Sequence, residues 1–114
     1  AVSGDKHRIK KGIEYFGIIG KVPSGATAYV VDDMISTGST LLEAASALRN
    51  AGAQKVVAFA THAVLCADSQ QKFHVSNIDK VYVTDTIHHG VSLDSVFEVI
   101  SVVPLFAERI KEIL

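Results

Sequence analysis

Two adjacent carboxylates, Asp32 and Asp33, are followed within seven residues by Ser36, Thr37, Gly38, Ser39 and Thr40 in the stretch "VVDDMISTGSTL". Carboxylates accept hydrogen bonds and repel anions, so they suit a cluster of hydroxyl donors or a divalent cation. The small hydroxylated residues do the reverse. Backbone amides in a turn and in the first turn of a helix lack intrahelical partners, and the helix dipole adds about half a positive charge there. Thr37 to Thr40 can wrap an anionic group with amides while their hydroxyls add donors, and Gly38 lets the backbone approach closely.

A ligand carrying hydroxyls at one end and a phosphate at the other, such as a sugar phosphate, answers both parts of this stretch. A plainer reading stays open: an Asp caps the helix, and the Ser and Thr residues are ordinary turn formers.

The elements that must position these residues are legible from hydrophobic pattern. "ATAYVVD" is apolar and β-branched without clean alternation, as in a strand covered on both faces. Leu41, Leu42, Ala45, Leu48 and Ala51 fall at helical spacing, and Gly52 stands where a helix end favours a left-handed residue. Further strands are expected at 55–62, 80–85 and 96–103, a short helix near 67–74, and a final helix opened by Pro104. Its apolar side would carry Leu105, Phe106, Ile110, Ile113 and Leu114. The segment from Ala1 to about Lys11 reads as a loop. Strands alternating with helices predict an α/β fold, a parallel sheet of about four or more strands with flanking helices and right-handed crossovers. In such sheets ligands bind beyond the carboxyl ends of the strands, where residues 32–40 are expected to lie.

Bulk properties bound the function classes. A chain of 114 residues suits a single domain, and 48% hydrophobic with 20% charged residues marks a folded one. A net charge of −1 gives no field that would attract nucleic acid, and no apolar run has the length of a membrane span. The lone Cys66 excludes an internal disulfide, and the start has no signal-peptide pattern, so a cytoplasmic location is expected. No Walker A pattern is present. His88 and His89 form a pair without a third ligand at metal spacing, and Cys66 reads as a small packed residue with no catalytic partner nearby. His62, at the end of the second strand, either faces a ligand or is structural. Thr84, Asp85 and Thr86 either join the same crevice or cap a turn.

"VVDDMISTGSTL" is similar to the phosphoribosyl pyrophosphate motif of type I phosphoribosyltransferases and of ribose-phosphate pyrophosphokinases. The longer run "GKVPSGATAYVVDDMISTGSTLLEAASALRNAGAQKVVAFATHAVL", with "VTDTI", "ISVVPLFAERI" and the early "DKHR", resembles the C-terminal half of the latter family over nearly the whole chain. The resemblance implies a type I phosphoribosyltransferase-like, Rossmann-like fold. It implies that Asp32 and Asp33 bind the ring hydroxyls of ribose 5-phosphate, and that Ser36, Thr37, Gly38, Ser39 and Thr40 hold its 5-phosphate. Lys6 and Arg8 would be catalytic, reaching over the diphosphate of ATP with Mg²⁺ while the anomeric hydroxyl attacks the β-phosphorus. The metal ligands are not implied. A homo-oligomer is expected, with neither nucleic acid nor membrane as partner.

Ser39 stands where the family usually has a second glycine. The family's enzymes are expected to be about twice this length, and the start at Ala1, inside the catalytic loop, leads to the expectation of a fragment inactive alone. Two other functions compete: a type I phosphoribosyltransferase consuming phosphoribosyl pyrophosphate, which would need a base-recognition hood, and a non-catalytic regulatory subunit, which has no physical need for Lys6, Arg8, Asp32 and Asp33.

Overall fold

A computed structural model of the chain describes residues 21–66, 68–90 and 92–114 in full, and the backbone alone of residues 3–8 and 14–19. Two strands, β1 (Ser3–Arg8) and β2 (Glu14–Ile19), pair antiparallel in a ribbon, Lys6 opposite Phe16. Within the segment expected as a loop, Ser3–Arg8 is therefore extended and paired. Antiparallel ladders rest on backbone hydrogen bonds that a polar, cationic sequence supplies as well as an apolar one, so hydrophobic pattern gave no sign of β1, whereas β2 carries the apolar Tyr15, Phe16, Ile18 and Ile19.

The rest is a four-stranded parallel sheet in the order β3 (Thr27–Ile35), β4 (Lys55–Ala63), β5 (Lys80–Thr84) and β6 (Phe97–Ile100). Helices α1 (Ser39–Asn50) and α2 (Ser69–His74) join β3 to β4 and β4 to β5, β6 follows β5 with no helix described between them, and α3 (Val103–Ile113) follows β6. This is the α/β arrangement that the alternation of patterns predicts.

Helix α1 forms because Leu41, Ala44, Ala45 and Leu48 make one apolar stripe, and all four are buried. It ends at Gly52, whose φ of 116° completes a cap: the Gly52 amide donates to Arg49 O at 3.1 Å and the Ala53 amide to Leu48 O at 3.0 Å. The stripe packs on Ile35, Val56, Ala58, Val81 and Val83, joined by Phe73 of α2 and Phe97 of β6. Each large side chain withdrawn from water in this way contributes about 1.5–3 kcal/mol.

The expectation of a strand covered on both faces does not hold among the described residues. Tyr29 and Val31 of β3 are 67% and 78% exposed. Across that outer face the rings of Tyr29, Phe59 and Tyr82 form a row, with centroids 5.9 and 5.2 Å apart. Helix α3 likewise buries none of its residues, although its apolar side is where Pro104 and the spacing predict it. No helix of the described residues is long and apolar enough to cross a membrane.

Candidate functional site

The acid pair lies in the strand rather than after it. β3 continues through Asp32 and Asp33 to Ile35 because parallel pairing with β4 continues there, Asp32 beside Ala60, Met34 beside His62 and Ile35 beside Ala63. The expected nine-residue connection from 32 to 40 thus shrinks to Ser36, Thr37 and Gly38, with Ser39 and Thr40 already in the first turn of α1. The tie is extended past the sheet, where the amides of Val64 and Leu65 both donate to Ile35 O at 3.0 Å.

At this level β3 loses its alternation, and β4, buried or half-buried from Val56 to Ala60, becomes exposed. Asp33 and Met34 are exposed in succession before the buried Ile35, and Thr61 and His62 are exposed in succession before the buried Ala63. The effect is an open polar patch at the carboxyl ends of the two strands. Asp32 is half-buried, and its Oδ1 accepts the Asp33 amide at 2.8 Å. That bond fixes the carboxylate beside its own backbone.

Helix α1 is capped by Gly38, which carries no side chain, so neither aspartate stands at the cap, while Thr37 and Ser39 do bond as turn formers. The turn instead arranges itself through Thr37, whose Oγ1 accepts the Ser39 amide at 3.3 Å and lies 3.1 Å from Ser39 Oγ. The Leu42 amide donates to Gly38 O at 3.0 Å, closing the first helical turn. Gly38 itself is left-handed, with φ of 87°, and buried; a Cβ there would overlap the Phe73 ring. Its glycine character therefore answers to a positive φ and to packing from below, which sequence spacing alone did not reveal.

Ser36 meets a residue that the sequence reading set aside. Cys66 is exposed rather than packed; its Sγ lies 3.1 Å from Ser36 Oγ, and its amide donates to Ser36 O at 3.0 Å. Thr84 and Thr86 belong to the same end of the sheet. The Thr84 hydroxyl donates to Thr61 O at 2.6 Å, and His62 Nδ1 lies 2.8 Å from Thr86 Oγ1. Asp85 turns to the other task open to it. Its Oδ1 accepts the amide of Val102, the residue that precedes α3, at 2.9 Å. Hydrogen bonds from the Ser101 hydroxyl and the Val102 amide hold its carboxyl below the ordinary aspartate range.

Lys6 and Arg8 fall on β1, where the side chains lie outside the described residues, and Lys10 and Lys11 lie outside them altogether. Among the described residues, no three of His, Cys, Asp or Glu are grouped as ligands for a metal ion.

Fold and patch together define a class: an α/β domain whose acid pair and hydroxyl-rich turn stand at the carboxyl ends of a parallel sheet, where such folds take ligands. The chain belongs to the phosphoribosyl synthetase-associated domain family, whose model matches residues 6–114. It is 43% identical over 112 residues to a ribose-phosphate pyrophosphokinase of Chromobacterium violaceum, covering 96% of this chain and 34% of that protein. It is 40% identical over 107 residues to the enzyme of the same name from Thermosipho africanus, covering 93% of this chain and 33% of the relative. A crystal structure of phosphoribosylpyrophosphate synthetase from Mycobacterium smegmatis superposes with a TM-score of 0.80 at 31% identity, over 96% of this chain and 36% of that one. The chain thus spans about a third of the length of these relatives, rather than the half expected from its sequence.

Proposed function

We propose that the chain supplies the ribose 5-phosphate site and catalytic loop of a ribose-phosphate pyrophosphokinase, the activity for which its relatives are named. The observation that carries this reading is the sequence of acceptors and donors along one connection. Asp32 and Asp33 end a strand as acceptors for ring hydroxyls, and three residues later the turn at Ser36, Thr37 and Gly38 opens a helix N-terminus toward the 5-phosphate. Ser39 and Thr40 follow in the first helical turn, beside the same anion site. With the sugar held at both ends, its anomeric hydroxyl attacks the β-phosphorus of ATP, giving phosphoribosyl pyrophosphate and AMP.

Lys6 and Arg8 are assigned to the diphosphate being transferred. Phosphoryl transfer needs positioning and charge neutralisation more than covalent help, and mobile cations give both. The exposed Asp33 carboxylate is a hard oxygen donor of the kind Mg²⁺ takes together with substrate phosphates, and the ion would supply further neutralisation. The remaining two thirds of the relatives' length is assigned the ATP site, so the chain alone is expected to make no product. A cytoplasmic homo-oligomer is the setting we infer, with the outer sheet face, where exposed Tyr29 and Val31 stand beside the half-buried rings of Phe59 and Tyr82, as one surface for assembly.

Calorimetric titration of ribose 5-phosphate into the chain tests the site. Asp32→Asn keeps the shape but turns half of an acceptor group into a donor, and should weaken binding roughly tenfold without lowering Tm appreciably. The same affinity in parent and variant removes the assignment. When the chain is completed with the remaining sequence of a relative, Lys6→Ala should slow AMP release by about a hundredfold or more while ribose 5-phosphate binding stays within a few-fold.

A further inference from the structure

We infer that His62, braced by Thr86, is a further binding residue of the same crevice and hydrogen-bonds a hydroxyl of the pentose through Nε2. The inference rests on the ribose 5-phosphate reading above.

Three observations converge on it. His62 is the direct cross-strand neighbour of Met34, and because side chains alternate along a strand it shares the face of Met34 and of Asp32 two residues earlier, with adjacent strands about 4.8 Å apart. Met34 and His62, both exposed, are paired at the end of the sheet just past Asp32 and Asp33, so His62 lies at the same open end as the acids. Its ring is also held. Nδ1 lies 2.8 Å from Thr86 Oγ1, and Thr86 Oγ1 lies 3.3 Å from Thr61 O, to which its hydroxyl donates. With that proton given to the carbonyl, Thr86 accepts the Nδ1–H, and in that tautomer the ring's acceptor lone pair stands on Nε2. Nε2 has no partner among the described residues.

The chain Nδ1–H to Thr86 to Thr61 O resembles the way proteins fix a histidine whose other nitrogen meets a ligand. A hydroxyl is the group that suits an unprotonated Nε2 beside carboxylates. A phosphate is instead the preference of the turn at Ser36–Gly38, on the helix side of the acid pair. Exposure argues against a purely architectural role, since a surface hydrogen bond adds little to folding.

Isosteric variants separate the two nitrogens. In His62→Asn the amide occupies the place of Nδ1 and keeps the Thr86 bond but has nothing at Nε2. In His62→Gln the amide reaches the place of Nε2. Calorimetry with ribose 5-phosphate and, separately, inorganic phosphate is run on the full 114-residue chain, with Asp32→Asn in parallel. His62→Asn and His62→Ala should both weaken ribose 5-phosphate binding about tenfold, with His62→Gln within about threefold of the parent and inorganic phosphate unaffected in all three. Full affinity in His62→Asn assigns the ring to architecture and overturns the inference. So does an equal loss for inorganic phosphate, which would mean that the anion cradle has moved. If Asp32→Asn weakens binding while every His62 variant matches the parent, the histidine assignment alone is lost. If the unaltered chain takes up no ribose 5-phosphate, the parent reading goes and this inference with it.

Discussion

The Phe73 ring of α2 fills the space into which a side chain at Gly38 would grow. The residue that turns the chain from β3 into α1 is thus fixed from beneath by a fully buried aromatic, itself in edge contact with Phe97 at 5.4 Å. A helix of only six residues sets the height of the candidate phosphate turn.

Gly38→Ala should therefore be costly twice over. A left-handed φ costs a non-glycine residue roughly 1–2 kcal/mol, and displacing a packed ring roughly another 1–3 kcal/mol. Chemical denaturation should show a loss of about 2–5 kcal/mol. Shortening the ring with Phe73→Leu in the same chain should recover the steric part only, so the two changes together cost less than their sum. Strict additivity would mean that the ring yields freely.

Arg49 closes the base of the domain. Its Nε and Nη2 donate to Asn77 O at 3.2 and 3.0 Å, Nη1 donates to Gln54 O, and Nη2 pairs with Asp79 Oδ2 at 2.6 Å. The same Asp79 oxygen accepts the amide of the fully buried Val56 at 2.8 Å. An ammonium cannot reproduce this fork, so Arg49→Lys should lower stability by about 1–2 kcal/mol while leaving ligand affinity alone. A thermal melt unchanged by the substitution would remove the clamp from the account.

Asp85 gives a pH signature. Its carboxyl is held below the ordinary range by the Ser101 hydroxyl and the Val102 amide, both of which favour the charged form. A lowered folded-state pKa contributes stability that is present above the unfolded value, near 3.9, and is lost as pH falls through the folded value. Asp94 acts in the same sense through the Val96 amide and His74. Asp85→Asn should narrow the difference in denaturation midpoint between about pH 7 and about pH 3, with Asp94 keeping part of it. An acid limb of unchanged steepness would count against Asp85 as one of its sources.

What could be read in advance followed from periodicity. The apolar runs of β3, β4 and β5, the stripe from Leu41 to Leu48 and the glycine at 52 are local statements that tertiary packing left in place. β1 escaped notice because a polar, cationic strand needs no hydrophobic code for its ladder, although the apolar run of its partner β2 was there to be read. The depth of Asp32 and Asp33 within β3 escaped it because polar residues ordinarily end a strand, and here pairing with β4 outlasts the apolar run. Phe73 beneath Gly38 and Cys66 against Ser36 join residues about 30 positions apart, and no spacing rule reaches that far. Thr86 and His62 were visible as residues near strand ends, but their bond emerges only when β4 and β5 lie side by side.

The uncovered row of rings on the outer face carries an optical consequence. The chain has no tryptophan and three tyrosines, two of which, Tyr29 and Tyr82, flank Phe59 on that face. Ultraviolet emission from the domain therefore comes in large part from the side of the sheet opposite its buried helices. Any second body laid across that side will change the signal, while a sugar entering at the strand tips leaves it almost untouched, so a single fluorimeter trace tells assembly from ligand uptake.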